Sequence, residues 1–103
     1  MRIAIVTGTV IATAKDEKLL GKKLLLLREA DSLGRPIPFP GPGDGLFVAV
    51  DAVNAGKGEL VVVTEGSSAR KTGVSESLPV DSIVVAIIDS LEVEGKVTWR
   101  KSE

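Results

Sequence analysis

Three carboxylates, Asp51, Asp81 and Asp89, stand inside or beside apolar runs of this chain. A charge in such a place must find a partner or change its protonation. Paired carboxylates can perform general acid and base work. The rest of the equipment for catalysis is missing. The 103 residues include no histidine and no cysteine. That removes imidazole and thiolate metal ligands, thiol nucleophiles, disulfides and the Ser-His-Asp arrangement. No nucleophile sits in a motif and no metal-ligating constellation is evident. The sequence therefore names no catalytic, cofactor-binding or metal-binding residue and points away from an enzyme. The aspartates suit turn capping or salt bridges between subunits.

A second candidate for chemistry is the run Gly66-Ser67-Ser68-Ala69-Arg70-Lys71-Thr72-Gly73. It reads as one short helix, with Ser67 at the N-cap, Arg70 and Lys71 in the last turn and Gly73 at the stop. Free N–H groups at its start, beside Ser and Arg, could hold a phosphate or carboxylate. The plainer reading is an ordinary cap, because phosphate-binding fingerprints need more glycines and a βαβ setting. In that reading Arg70 is free to pair with an acidic residue of another chain.

The elements that must position these residues are strands. Segments Arg2 to Thr13, Lys23 to Glu29, Leu46 to Val53, Glu59 to Thr64, Ser82 to Ile88 and Leu91 to Trp99 are short and rich in Val, Ile, Leu and Thr. They are separated by Gly, Pro, Asp, Asn or Ser. The expectation is a single all-β domain over residues 1–103, an OB-like barrel of five to six strands with one short helix, because closure removes the exposed edges of a lone sheet. In the first strand Ala4, Val6, Gly8, Val10 and Ala12 are expected to point inward, leaving Ile3, Ile5 and Ile11 outside.

Leu24 to Leu27, Leu60 to Val63 and Ile83 to Ile88 are likewise apolar on both faces, and no helices are available to cover them. Other chains are then expected to do so. A wall packed through one patch onto a different patch of its neighbour makes a heterologous contact that closes into a ring or runs on as a filament. Thirteen basic residues against fourteen acidic, interspersed, give a net charge of −1, with no footprint for nucleic acid. The apolar run Ile83 to Ile88 is far shorter than the roughly 20 residues of a membrane-spanning helix. Thr7, Gly8 and Thr9 interrupt any secretory start, so cytoplasmic residence is expected.

Two loops complete the reading. Asn54-Ala55-Gly56-Lys57-Gly58-Glu59 joins two strands, where glycine supplies positive φ and allows close approach of another backbone. Gly34 to Gly45 holds four of the five prolines and four of the eleven glycines, so it is a surface excursion. It has no PxxP spacing for polyproline recognition.

Four blocks, taken in order, resemble a known family. They are Gly8 to Thr13, Gly21 to Leu27, Val48 to Arg70 with its glycine loop, and Pro79 to Asp89. The family is that of the pentameric vertex proteins of bacterial microcompartment shells, of the ethanolamine-utilisation and carboxysome type. The resemblance implies a homopentamer in the bacterial cytoplasm that caps the vertices of an icosahedral shell, without cofactor. It implies partners among hexameric and pseudohexameric shell proteins, which the loop Asn54, Ala55, Gly56, Lys57, Gly58 and Glu59 would face. Where the family usually has a further glycine this chain has Asn54, which tolerates left-handed geometry. Subunit contacts are expected from Ile3, Ile5, Ile11, Gly66, Ser67, Ser68, Ala69, Arg70 and Asp81. The alternative is an OB-type module for single-stranded nucleic acid or oligosaccharide. Such a module generally needs a basic groove and exposed aromatics, whereas Phe39, Phe47 and Trp99 are the only aromatics here.

Overall fold

A computed structural model describes residues 1–13, 21–66 and 81–102. Seven strands follow in order: β1 Arg2–Val10, β2 Leu24–Glu29, β3 Phe47–Asp51, β4 Leu60–Glu65, β5 Ser82–Ile87, β6 Ser90–Val93 and β7 Lys96–Arg100. The first five close into a barrel in the order β1-β2-β3-β5-β4, and β6 and β7 form a separate hairpin. β3 and β5 run parallel, while every other neighbouring pair is antiparallel. No helix occurs among the described residues; the helix expected over Ser67 to Gly73 lies outside them.

The interior is narrow and is filled by Ala4, Val6, Leu25, Leu27, Ala49, Ala55, Val61, Val63 and Val84. The small side chains of Ala4, Ala49 and Ala55 leave room for the leucines opposite, as close packing in a five-stranded barrel demands. Of the five residues of β1 and its extension expected inside, only Ala4 and Val6 belong to this core. The β1–β2 register slips between Val6 and Gly8, leaving Thr7 as an extra residue whose hydroxyl donates to the Leu26 carbonyl at 3.0 Å. An extra residue inverts the alternation that follows it. Val10 now pairs with Leu24, which packs on an outer cluster with Val50, Ile83 and Val85, and Ile11 lies past the strand end, 98% exposed. A second slip, at Val85, lets both Val84 and Ile87 reach the interior.

Arg2 closes the barrel end at which β1 begins. Its guanidinium carbon lies 3.6 Å from the centroid of the Phe47 ring, and Nη2 donates to Glu65 at 2.9 Å. Nε is also 2.9 Å from Glu65 but is not aligned to donate to it, and Nη1 stands 3.7 Å from Glu29.

The expected strand Leu91 to Trp99 is instead the β6–β7 hairpin, turned by Glu94 at φ 50° and Gly95 at φ 82°. Two successive positive φ values make the twist of a tight hairpin turn, which a Glu-Gly pair does not advertise as Asn-Gly would. This hairpin corrects the expectation that only other chains cover the outer wall. Leu91 and Trp99 pack with Ile3, Ile5 and Val62 onto Ala30, Leu60 and Ile88. At roughly 25 cal/mol per Å2 of apolar area, such a cover removes a large part of the cost of Ile3 and Ile5 facing outward.

The long β2–β3 connection is ordered by local polar capping. Asp31 Oδ1 accepts from the N–H of Leu33 at 2.9 Å and of Arg35 at 3.0 Å, and these bonds hold its carboxyl below the usual range. Asp44 caps Leu46 in the same way. Phe39 lies against the Cα faces of Gly41 and Gly45, and the Trp99 indole lies against Gly34.

A Cβ on Gly34 would stand 2.2 Å from Trp99 Cδ1, at φ +73°, whereas one on Gly43, at φ +86°, would meet nothing within 4 Å. Gly34→Ala is therefore expected to cost about 1–3 kcal/mol more than Gly43→Ala, because both strain the backbone but only the first overpacks the ring. Urea denaturation of both variants at one protein concentration measures it; equal costs would remove Trp99 from the account of the hairpin's docking. Asp31 also sets a pH dependence. A carboxyl whose folded pKa is depressed contributes stability that is full above its ordinary value of 3.8 and is lost as pH falls through the lower folded value. The Leu33 and Arg35 amide shifts should titrate together below pH 3.8, and Asp31→Asn should abolish that transition.

Candidate functional site

The loop between β3 and β4 begins on a buried charge. The Asp51 side chain is 1% exposed, and Oδ1 accepts from Val53 N–H at 3.0 Å while Oδ2 accepts from Ala55 N–H at 2.9 Å. Lys23 supplies the countercharge, with Nζ 3.6 Å from Oδ2, and donates to the Ala55 carbonyl at 2.8 Å. Buried ionised groups need such partners, and here they are backbone amides and one ammonium. Asp51 is thus a turn cap, and its oxygens are committed to structure rather than to acid and base work.

Asn54 takes up φ 59°, the left-handed geometry that its short polar side chain tolerates. Ala55 then turns inward and is fully buried in the barrel core, which corrects its place among residues facing a partner. Asn54, Lys57 and Gly58 are exposed, and Gly56 and Glu59 half-buried. The exit of the loop is pinned to β1, since Gly58 N–H donates to the Val6 carbonyl at 2.8 Å and Val6 N–H to the Glu59 carbonyl at 2.9 Å.

Glu59 bridges the loop and the far end of the chain. Oε1 accepts from Gly56 N–H at 2.6 Å, and Oε2 pairs with Lys101 Nζ at 2.7 Å. The Lys101 ammonium first, and the Gly56 N–H second, hold the Glu59 carboxyl below its ordinary range. The same contact raises Lys101. The sequence assigns no role to Lys23, although it lies in the Gly21 to Leu27 block, or to Lys101; their roles come from residues 28 and 42 positions away.

The expected subunit-contact residues are scattered. Ile3 and Ile5 lie half-buried under the β6–β7 hairpin. Ile11 is almost fully exposed at the end of β1. Gly66 and Asp81 are brought together, with Gly66 N–H donating to the Asp81 carbonyl at 2.8 Å, and both are exposed. Ser67, Ser68, Ala69 and Arg70 lie outside the described residues. On the outer wall Leu26 stands in register with Gly8 on one side and Val48 on the other, and Val48 is 46% exposed. That row is apolar and clear of the hairpin cluster.

The family model described as ethanolamine utilisation protein EutN/carboxysome matches residues 1–89. The carboxysome shell vertex protein CcmL of a Nostoc species is 42% identical over 104 residues, which span all of this chain and 97% of the relative. The solved structure of that protein superposes with a TM-score of 0.84 at 43% identity, covering 98% of this chain and all of the other. The microcompartment shell vertex protein PduN of Salmonella typhimurium is 46% identical over 91 residues, 88% of this chain and 98% of PduN. A pentameric microcompartment shell protein of Rhodospirillum rubrum, GrpN, superposes with a TM-score of 0.74 at 40% identity, covering 90% and 99%. A single barrel with its glycine loop, matched from end to end by shell vertex proteins, belongs to the EutN/carboxysome CcmL family.

Proposed function

We propose that five copies of this chain form a ring that caps the vertices of an icosahedral microcompartment in the bacterial cytoplasm. Its role is structural. A sheet of hexagonal tiles closes into a polyhedron only where fivefold defects replace sixfold ones, and a tapered ring of five small barrels supplies such a defect. The fully committed Asp51 carboxylate agrees with a part that performs no chemistry.

The observation that carries the ring is the outer wall. The hairpin covers Ile3 and Ile5, yet Val48 and Ile11 remain 46% and 98% exposed on the β1–β2–β3 side. Burying this patch on a different patch of a second copy, rather than on itself, makes a heterologous contact, and such contacts close into a ring where the rotation between copies allows it. Gly66 to Arg70 and Asp81 belong to the same proposal as the opposing patch. The exposed turn of Asn54, Lys57 and Gly58, with half-buried Gly56 and Glu59, faces the hexameric and pseudohexameric shell proteins around the vertex.

An OB-type nucleic-acid or saccharide module fits less well. Stacking platforms need exposed aromatic faces. Phe47 is under Arg2, Trp99 is against Gly34, and only Phe39 is largely exposed, in the proline-rich loop.

Native mass spectrometry over a wide dilution range is expected to give a persistent mass of five chains; a stable monomer would sink the proposal. Val48→Asp should dissociate the ring while leaving the far-ultraviolet circular dichroism unchanged, since burying a carboxylate in place of an aliphatic group costs about 2 kcal/mol or more at each contact. A ring that keeps its mass in that variant would place the interface elsewhere on the barrel.

A further inference from the structure

We propose that the C-terminal arm, β6–β7 with Lys101, sets the shape of the Asn54–Glu59 loop, and that Lys101 is therefore a positioning residue for the docking of neighbouring shell proteins. The second half of this statement rests on the proposed vertex role of the loop. The first half rests on geometry alone.

The loop is fixed at both ends and not in its middle. Asp51 and Lys23 hold its start through the Val53 and Ala55 amides and the Ala55 carbonyl. Val6 holds its end through Gly58. Between those points the described restraints on the turn are the Gly56 carbonyl, which accepts from Glu59 N–H at 3.1 Å, and the Gly56 N–H, which donates to the Glu59 carboxylate at 2.6 Å. An acceptor on a three-torsion side chain is a poor anchor unless something fixes the side chain itself. Lys101 does so, taking the second carboxylate oxygen at 2.7 Å.

The position of the Lys101 ammonium is in turn set by the arm and not by the loop. Leu91 and Trp99 seat the hairpin on the outer wall. The Thr98 hydroxyl donates to the Ser32 carbonyl, the Trp99 ring lies on Gly34, and Lys101 N–H donates to the Asp89 carbonyl at 2.8 Å. Lys57, Gly58 and Glu59 of the loop face Trp99 and Lys101 across one shallow depression, so the arm forms a wall of the loop's own surroundings. The family match ends at residue 89, just before the arm begins. The relatives nevertheless align through the arm, so the loop and the group that steadies it both lie within the matched length.

The test is amide hydrogen exchange on the assembled protein, read at Gly56 against core amides such as those of Leu25 and Val61. Lys101→Met should speed exchange at Gly56 by about twofold to fivefold, the range that an exposed ion pair supports, and leave the core amides unchanged. Lys101→Arg should restore protection. The exchanged pair, Glu59→Lys with Lys101→Glu, should restore the ion pair but not the Gly56 protection, because an ammonium then faces the N–H. Unchanged Gly56 exchange in Lys101→Met overturns the proposal, as does full rescue by the exchanged pair. Co-expression with a hexameric shell protein tests the docking half: Lys101→Met rings of normal mass should enter closed shells less often than wild-type rings. Equal entry, with Gly56 loosened, overturns the link to docking and leaves the vertex role standing. Absence of rings in the wild type would instead count against the vertex role, and Gly56 exchange in the single chain would still decide whether the arm holds the loop.

Discussion

The volume of the barrel interior is the constraint from which the rest follows. Five short strands enclose a space that takes alanines at three of nine buried core positions, with the Phe47 ring only partly buried against them. Every strand nevertheless carries aliphatic residues on both faces. Leu60 and Val62 face outward while Val61 and Val63 face inward on the same strand. An outer face of this kind gains nothing from the barrel and must be covered by something else. Part of the cover is the chain's own hairpin, and in the proposed ring other copies cover the remainder. Fold and assembly are thus two answers to one surplus of apolar area.

That arrangement puts the burden of specificity on polar groups at the barrel's ends. Arg2 stacks on Phe47 and pairs with Glu65 at one end, and Asp51, 1% exposed, organises the loop at the β3–β4 turn. A buried carboxylate costs several kcal/mol unless satisfied, so the two amides and the Lys23 ammonium are conditions of its presence rather than additions to it. A neutral side chain would pack at lower cost but would accept fewer hydrogen bonds from the turn. The charge therefore fixes one loop geometry among several.

Much of this was legible in the residues. The alternation of aliphatic residues with turn residues identified five barrel strands, and Asn54 was correctly expected to tolerate a left-handed turn. What misled was parity. A period of two is readable only while the register holds, and the slip at Thr7 reversed the facing of everything after it in β1. Nothing in Val6-Thr7-Gly8 marks a bulge except the glycine, which has many other uses. The Glu94-Gly95 turn was hidden because Leu91 to Trp99 keeps a strand-like composition through it. The site was less legible than the fold. Asp51 announced itself as a charge in an apolar run, but Lys23 and Lys101 act across the fold, and their pairing follows from register and from the hairpin's path.

The hairpin shows how a small barrel can be made to fit a ring. Had Ile3, Ile5, Leu60 and Val62 stayed bare, the outer wall would be adhesive around much of its circumference, and contacts in several directions would compete. Closed rings require one pair of complementary patches at a fixed angle, whereas wide exposed apolar bands invite open or mixed assemblies. By placing Leu91 and Trp99 over one sector, the arm leaves the Leu26 and Val48 row as a directed patch. The arm's exposed surface carries Glu92, Glu94, Lys96 and Arg100, interspersed with the exposed valines Val93 and Val97. In the proposed ring, assembly in a single direction therefore depends as much on the wall that the chain hides as on the wall that it offers.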